Sequence, residues 1–192
     1  MSLSDKLINV FYKGATSSKK VRPLLTPAGL VLFFSFLALF IVVPLQLDKF
    51  LGLPKLPPGS LNIIVSVPIL VIGLFLMVWS NLHFVRVKGT PVPFNPPPEL
   101  VTTGPYAYVR NPMLTGVFIL LFGLGVLLQS ISLVFIFTPL FILLNVFELK
   151  AVEEPELEKR LGKEYVKYKK SVSMFIPRSK VRTKKKQVKN VQ

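Results

Sequence analysis

MLTGVFILLFGLGVLLQSISLVFIFTPLFILLNVF, Met113 to Phe147, is an apolar stretch interrupted chiefly at Gln129–Ser130. Apolar runs of about 18 residues or more read as transmembrane helices. Here Met113–Leu128 and Ile131–Phe147 each approach spanning length and share a two-residue join. A join that short predicts a tight antiparallel helical hairpin. Working outward, Leu24–Leu47 and Leu61–Leu82 supply two further spans. Pro27 falls in a first turn, where its missing N–H costs little, and Pro68 predicts a kink. Asp48–Ser60, DKFLGLPKLPPGS, reads as a Pro/Gly loop. The expected fold class is all-α: a polytopic membrane protein with about four spans, 24–47, 61–82, 113–128 and 131–147.

Composition agrees. Of 192 residues 51% are hydrophobic, a bias ordinary soluble domains do not sustain. Too few polar residues remain for a second soluble domain. The expected organisation is an N-terminal interfacial segment (1–23), one membrane-embedded domain (24–178) and a polybasic tail (179–192). Leu3, Leu7, Val10 and Phe11 share one helical face with Lys6 and Lys13 off it, the pattern of an interfacial helix. No signal peptide is evident: the first apolar run is of full spanning length and lacks a small-residue cleavage site. The absence of cysteine excludes disulfides and thiolate ligands, and a single histidine, His83, argues against zinc, so no metal is expected.

The net charge of +15 is unevenly placed, with fourteen of the 24 basic residues from Lys150 onward. In a membrane chain this pattern points to cytoplasmic flanks and anionic headgroups, not to nucleic acid. Lys6, Lys13, Lys19, Lys20 and Arg22 precede the first span, and the 129–130 turn carries no basic residue. Both termini are therefore expected in the cytoplasm. That topology gathers His83, Arg86, Arg110, Glu148, Glu153 and Glu154 at one rim. The four expected spans hold no ionisable side chain, which disfavours ion-coupled transport and favours a site at the membrane–water boundary.

Two polar motifs abut these spans. In Leu100–Pro112, LVTTGPYAYVRNP, Gly104-Pro105 is a turn signal, while Asn111 suits an N-cap and Pro112 the first helical position. The positive helix end beside Arg110 can hold a carboxylate. Alternatively, Arg110 simply snorkels to headgroups. In Glu153–Pro177, EEPELEKRLGKEYVKYKKSVSMFIP, Pro155 disfavours helical geometry at Glu154 and predicts that the fourth helix ends there. Leu157, Leu161, Tyr165 and Tyr168 then recur at helical spacing, predicting an amphipathic helix folded back on the bundle or the lipid surface. Glu153 and Glu154 bind a cation, accept a proton, or merely cap.

The proline-dense Gly89–Val101, GTPVPFNPPPELV, reads as a stiff wall or lid over the rim, or as a surface loop packed by Phe94. His83 reads as structural more readily than as a base. Gly123-Leu124-Gly125 is no dinucleotide fingerprint, because it lies within a membrane helix. Gly116 and Gly123, seven apart, predict close helix packing.

Together these features resemble the integral-membrane methyltransferases that include isoprenylcysteine carboxyl methyltransferase and the phospholipid methyltransferases, in a prokaryotic branch. The matches are Gly104, Tyr106, Arg110, Asn111, Pro112, Gly116, Glu153, Glu154, Leu157, Gly162, Glu164, Tyr165, Tyr168, Ile176 and Pro177. The likeness runs from about Lys88 to Arg178. Asn111 stands where eukaryotic members carry His, and Leu114 where Tyr is usual. The resemblance implies S-adenosylmethionine as cofactor and a lipophilic acceptor among membrane lipids, either a phospholipid amine or an isoprenylcysteine-like carboxylate. It places Leu100, Val101, Gly104 and Tyr106 beside the adenosine. The donor's carboxylate would suit Arg110 or the N–H groups near Asn111, and its ammonium Glu153 or Glu154. Arg110 and Glu154 are the candidate catalytic residues, Glu154 as base for an amine acceptor. The expected setting is a prokaryotic cell membrane. The rival reading is a non-enzymatic four-helix membrane scaffold or interaction protein of the same fold.

Overall fold

The computed structural model describes residues 3–16, 22–55, 60–86 and 99–177. Residues 89–98 of the proline-dense segment and the polybasic tail lie outside them. The chain is all-helical, with no strand among the described residues beyond one isolated bridge, Val109 to Ser173. Helix α1 covers Leu3–Thr16, α2 Arg22–Leu51, α3 Leu61–Arg86 and α4 Pro112–Leu127. A π-turn at Leu133–Phe137 leads into α5, Thr138–Glu148. A second π-turn, Leu149–Glu153, leads into α6, Glu154–Leu161, and α7 follows over Lys163–Ser171.

Three helical stretches are long and apolar enough to cross a bilayer: Pro27–Leu51, Leu61–Arg86 and Leu133–Leu161. A fourth apolar helix, α4, has 16 residues, about 24 Å at the usual rise and shorter than a hydrocarbon core of roughly 30 Å. Large apolar side chains cover the outside, among them Val31, Leu32 and Phe34 on α2, Ile64, Val71 and Phe75 on α3, and Leu143 and Phe147 on α5. Water does not tolerate so much contiguous apolar surface, whereas lipid solvates it. The protein is therefore an integral membrane protein.

Several span boundaries differ from expectation, and α3 runs past Leu82 to Arg86. The first helix runs past Leu47 to Leu51 and takes Asp48 with it. The last does not stop near Phe147 but continues to Leu161. Each π-turn ends one residue short of an X–Pro bond, at Thr138-Pro139 and Glu154-Pro155. Proline clashes with the carbonyl four residues back in a regular α-helix. In the π-turns, Thr138 N–H bonds the Leu133 carbonyl and Glu154 N–H the Leu149 carbonyl, five residues back. This wider turn relieves the clash, so Glu154 stays helical at φ −61, ψ −44.

Packing centres on Phe141, which is fully buried. The rings of Phe36, Phe40 and Phe118 surround it at centroid distances of 5.6, 5.1 and 6.0 Å. Helices α3 and α4 meet backbone to backbone. A Cβ on Gly116 would lie 2.7 Å from Gly73 O and 2.8 Å from Met77 N. The nearest atoms to a Cβ on Gly123 would be side-chain carbons of Leu70 and Ile69. The expected close packing at Gly116 and Gly123 is present, and Gly73 is the partner that makes it possible.

The hairpin join is a double cap. Gln129 adopts φ 56, the Ser130 N–H bonds Gly125 O at 2.8 Å, and the Gln129 N–H bonds Val126 O at 3.1 Å. This is a Schellman ending with glutamine in the usual glycine position. Ser130 Oγ then accepts the Leu133 N–H at 3.1 Å and donates to Asp48 Oδ2. Asp48 Oδ1 accepts the Ser132 N–H at 3.1 Å, and Asn62 Nδ2 donates to Leu127 O at 2.8 Å. Asp48 and Asn62 thus satisfy helix-end groups that the bilayer would otherwise leave unpaired.

Gly116→Ala should lower the thermal midpoint of the detergent-solubilised protein, at a cost of about 1–3 kcal/mol for overpacking against backbone. Gly123→Ala, whose nearest neighbours are side-chain atoms, should cost less. Equal losses would contradict the backbone contact.

Candidate active site

At the end of α4 away from the hairpin, four pieces of chain converge. The first is a 3₁₀ turn, Gly104–Ala107, seated on the end of α3. Gly104 has φ +60, and a Cβ there would lie 2.7 Å from His83 Nδ1, so glycine is required on both counts. The His83 Nε2 pairs with Thr103 Oγ1 at 2.9 Å, and Phe84 meets the Tyr106 ring edge-on at 4.9 Å. These contacts give His83 a packing role and fix Tyr106, which is buried. Leu100 and Val101 lie half-buried in the irregular stretch leading into the turn.

The second piece is Arg110–Pro112. The Arg110 N–H donates to Ser173 O at 2.8 Å and the Asn111 N–H to Met174 O at 3.1 Å. The C-terminal segment is fastened there, with Phe175 against Phe118 at 5.2 Å. Asn111 occupies the N-cap position, yet its side chain makes no capping bond. Its carbonyl instead accepts the Thr115 N–H and hydroxyl, at 3.0 and 2.9 Å. Two of the N–H groups considered for a donor carboxylate, those of Arg110 and Asn111, are thus already engaged.

The third and fourth pieces are α6 and α7. The helical rod delivers Glu153, half-buried, and Glu154, buried, to the rim. Gly162 at φ +59 turns the chain, so the amphipathic helix expected across Leu157 to Tyr168 is two helices. α7 returns toward the bundle with Tyr165 and Tyr168 buried. Tyr168 donates its hydroxyl to Tyr106 O at 2.6 Å, which locks α7 to the 3₁₀ turn.

Arg110 Nη1 lies 2.5 Å from Glu154 Oε1, with the two side chains only 10% and 6% exposed. Lys169 Nζ lies 2.6 Å from Glu154 Oε2 and 2.9 Å from Glu158 Oε1. The Arg110–Glu154 approach is close but off the hydrogen-bonding angle. Glu154 Oε1 and Arg110 Nε therefore lack a hydrogen-bond partner among the described residues, although both are buried. Arg110 Nη1 also reaches the Tyr165 hydroxyl at 3.4 Å. Burial raises Tyr106, Tyr165 and Tyr168 above the usual phenol range, so all three stay protonated at neutral pH. Lys169 is raised mainly by its hydrogen bond to Glu154, which keeps it charged at neutral pH.

The structure thus brings Arg110 and Glu154 into contact and ties Tyr106 to them through α7. The contributions of Lys169 and of the Ser173 carbonyl were not read from the sequence. Lys169 is one lysine among several on α7, and Ser173 acts through its backbone.

An all-helical membrane bundle with a buried ion cluster at one rim is the class these features define. The profile of the phospholipid methyltransferase family matches residues 61–164, more than half of the chain, and the chain belongs to that family of membrane methyltransferases. No curated protein shows significant similarity to it. The matched segment contains the glycine contact, the 3₁₀ turn, Arg110 and both adjacent glutamates.

Removing one partner of a buried ion pair strands the other and costs about 3–5 kcal/mol. Glu154→Leu should therefore lower the thermal midpoint markedly, and Arg110→Leu combined with Glu154→Leu should recover a large part of the loss. Additive losses in this double-mutant cycle would show that the two side chains are not coupled.

Proposed function

We propose that this protein transfers a methyl group from S-adenosylmethionine to a lipophilic acceptor at the cytoplasmic rim, with a phospholipid amine as the first candidate. The observation that carries this reading is the Arg110–Glu154 pair, buried in a membrane methyltransferase family fold with Arg110 Nε unpartnered among the described residues. The amino-acid end of the donor bears an ammonium and a carboxylate. A buried carboxylate beside a guanidinium with an open N–H matches that pair of charges. When bound, the donor supplies an electrophilic methyl on a sulfonium.

In this reading the chain's residues orient and enclose. Arg110 holds the donor carboxylate, Glu154 and Glu153 attract the ammonium, and Leu100, Val101, Gly104 and Tyr106 border the adenosine. Methyl transfer disperses positive charge, so alignment and exclusion of water matter more than strong acid–base groups. A cation at each oxygen of Glu154 supports an orienting role for this residue over a role as base. The lipid-exposed apolar faces beside the rim suit an acceptor with an apolar anchor and a polar end. The family supports phospholipid amine over isoprenylcysteine-like carboxylate.

Purified protein given isotopically labelled methyl donor and fractionated lipids should label a phospholipid, read by mass spectrometry. Arg110→Ala and Glu154→Gln should each reduce labelling at least about tenfold, the loss of one charge-assisted contact. Label confined to water-soluble molecules would overturn the lipid acceptor. No donor binding by folded protein would favour the scaffold.

We place both termini in the cytoplasm on the distribution of basic residues. The chain contains no cysteine, so single cysteines at Ser60 and Ser179 report their sides directly. Ser179→Cys should label from the cytoplasmic side and Ser60→Cys from the other. Labelling of both from one side would refute this topology.

A further inference from the structure

We propose that Lys169 is a tethered counter-ion: it holds the ammonium position at Glu154 in the empty site and yields it to the ligand by moving onto Glu158. This rests on the donor-binding reading above and adds a gating residue to it.

Both oxygens of Glu154 already face a cation, Arg110 on Oε1 and Lys169 on Oε2. A ligand ammonium can engage this carboxylate at full strength only if one of the two withdraws. Arg110 cannot do so easily. Its side chain is 10% exposed and its backbone N–H is fixed to Ser173 O. It also lies between Glu154 and the Tyr165 hydroxyl.

Lys169 differs on each point. Its side chain is 35% exposed and ends a flexible four-carbon stem. It already has a second anion, Glu158 Oε1, at 2.9 Å. Glu158 is 41% exposed against 6% for Glu154, so the second anion lies on the solvent side of the first. Lys169 can therefore release Glu154 outward without losing its own ion pair.

The arrangement has a physical purpose in the empty site. A buried carboxylate is costly without compensation, and Arg110 meets it off the hydrogen-bonding angle. Lys169 gives the carboxylate a charged partner on its other oxygen, Oε2, until a ligand does. The cost is competition: every ligand ammonium must displace an internal one. Helix α7 can supply such a cation because Tyr168, bonded to Tyr106 O, fixes the adjacent residue at the mouth of the site.

The test is calorimetric titration of the full-length protein in detergent with S-adenosylhomocysteine, which keeps the amino-acid end, and methylthioadenosine, which lacks it. Lys169→Met should bind S-adenosylhomocysteine roughly tenfold more tightly than wild type, the worth of one charge-assisted hydrogen bond no longer competed for. Methylthioadenosine affinity should not change. Glu158→Gln should move the other way, weakening S-adenosylhomocysteine severalfold, because the displaced Lys169 has lost its second anion. Opposite signs from two charge-removing substitutions are not what a merely structural network would give. Unchanged or weaker S-adenosylhomocysteine binding in Lys169→Met, or an equal change for both ligands, would overturn the role of Lys169. Should Lys169→Met fail to fold, Glu158→Gln decides alone, and unchanged or tighter binding would overturn the proposal. Wild-type protein that binds neither ligand would overturn the donor reading itself, a result distinct from wild-type binding with no response at Lys169.

Discussion

A carboxylate buried at the edge of a bilayer needs cations around it, and Glu154 has two. Arg110 and Lys169 approach its oxygens at 2.5 and 2.6 Å, and the other features of the rim serve to hold them there. The C-terminal segment accepts the backbone N–H groups of Arg110 and Asn111. The hydroxyl of Tyr168 pins α7, and so Lys169, to the 3₁₀ turn. Gly104 lets that turn rest on His83 without steric conflict. Buried ion pairs contribute little net stability, because desolvation offsets the attraction. Their presence is better explained by what the charges do there. A carboxylate with one off-angle cation and one movable cation suits recognition more than it suits stability.

The two ends of the bundle differ in what they leave without a hydrogen-bond partner among the described residues: a neutral hydroxyl, Ser132 Oγ, at the hairpin end and charged groups at the other. At the hairpin end, Asp48, Asn62 and Ser130 meet helix termini with matched donors and acceptors. At the other end, Arg110 Nε and Glu154 Oε1 remain without hydrogen-bond partners among the described residues. The long helix between them carries this asymmetry. Its two π-turns admit Pro139 and Pro155 without breaking the rod, and the second turn presents Glu153 and Glu154 just beyond it. π-turns recur at functional sites because they re-aim side chains without ending a helix.

The helices were legible because their signal is coarse and repeated. Apolar length identifies Leu61–Leu82, to which the structure adds a turn ending at Arg86, and a two-residue join leaves one geometry for Met113 to Phe147. The Asn111-Pro112 helix start was readable in position but not in mechanism, since the Asn111 carbonyl and not its side chain bonds Thr115. Pro155 misled because the rule for residues before proline assumes α-helical spacing, and the π-turn supplies another. Gly162, matched as a family residue, breaks the final amphipathic helix through its positive φ, which spacing of Leu157 to Tyr168 does not reveal. Arg110 and Glu154 were named as candidates, and their pairing follows from the topology that brings both to one rim. Lys169 was invisible among similar lysines because only the fold decides which of them faces Glu154. Asp48 reads as a loop residue because its partners, Ser130 and Ser132, lie more than 80 positions away.

The proposed site for the methyl donor is the rim formed by the 3₁₀ turn, Arg110 and the adjacent glutamates. Photo-crosslinking with an azido-substituted analogue of S-adenosylmethionine, followed by peptide mapping, tests this most directly. Label is expected on the segments 99–111 and 153–169, competed away by S-adenosylhomocysteine. Competable label at the hairpin end, around Asp48 or residues 127–132, would contradict it.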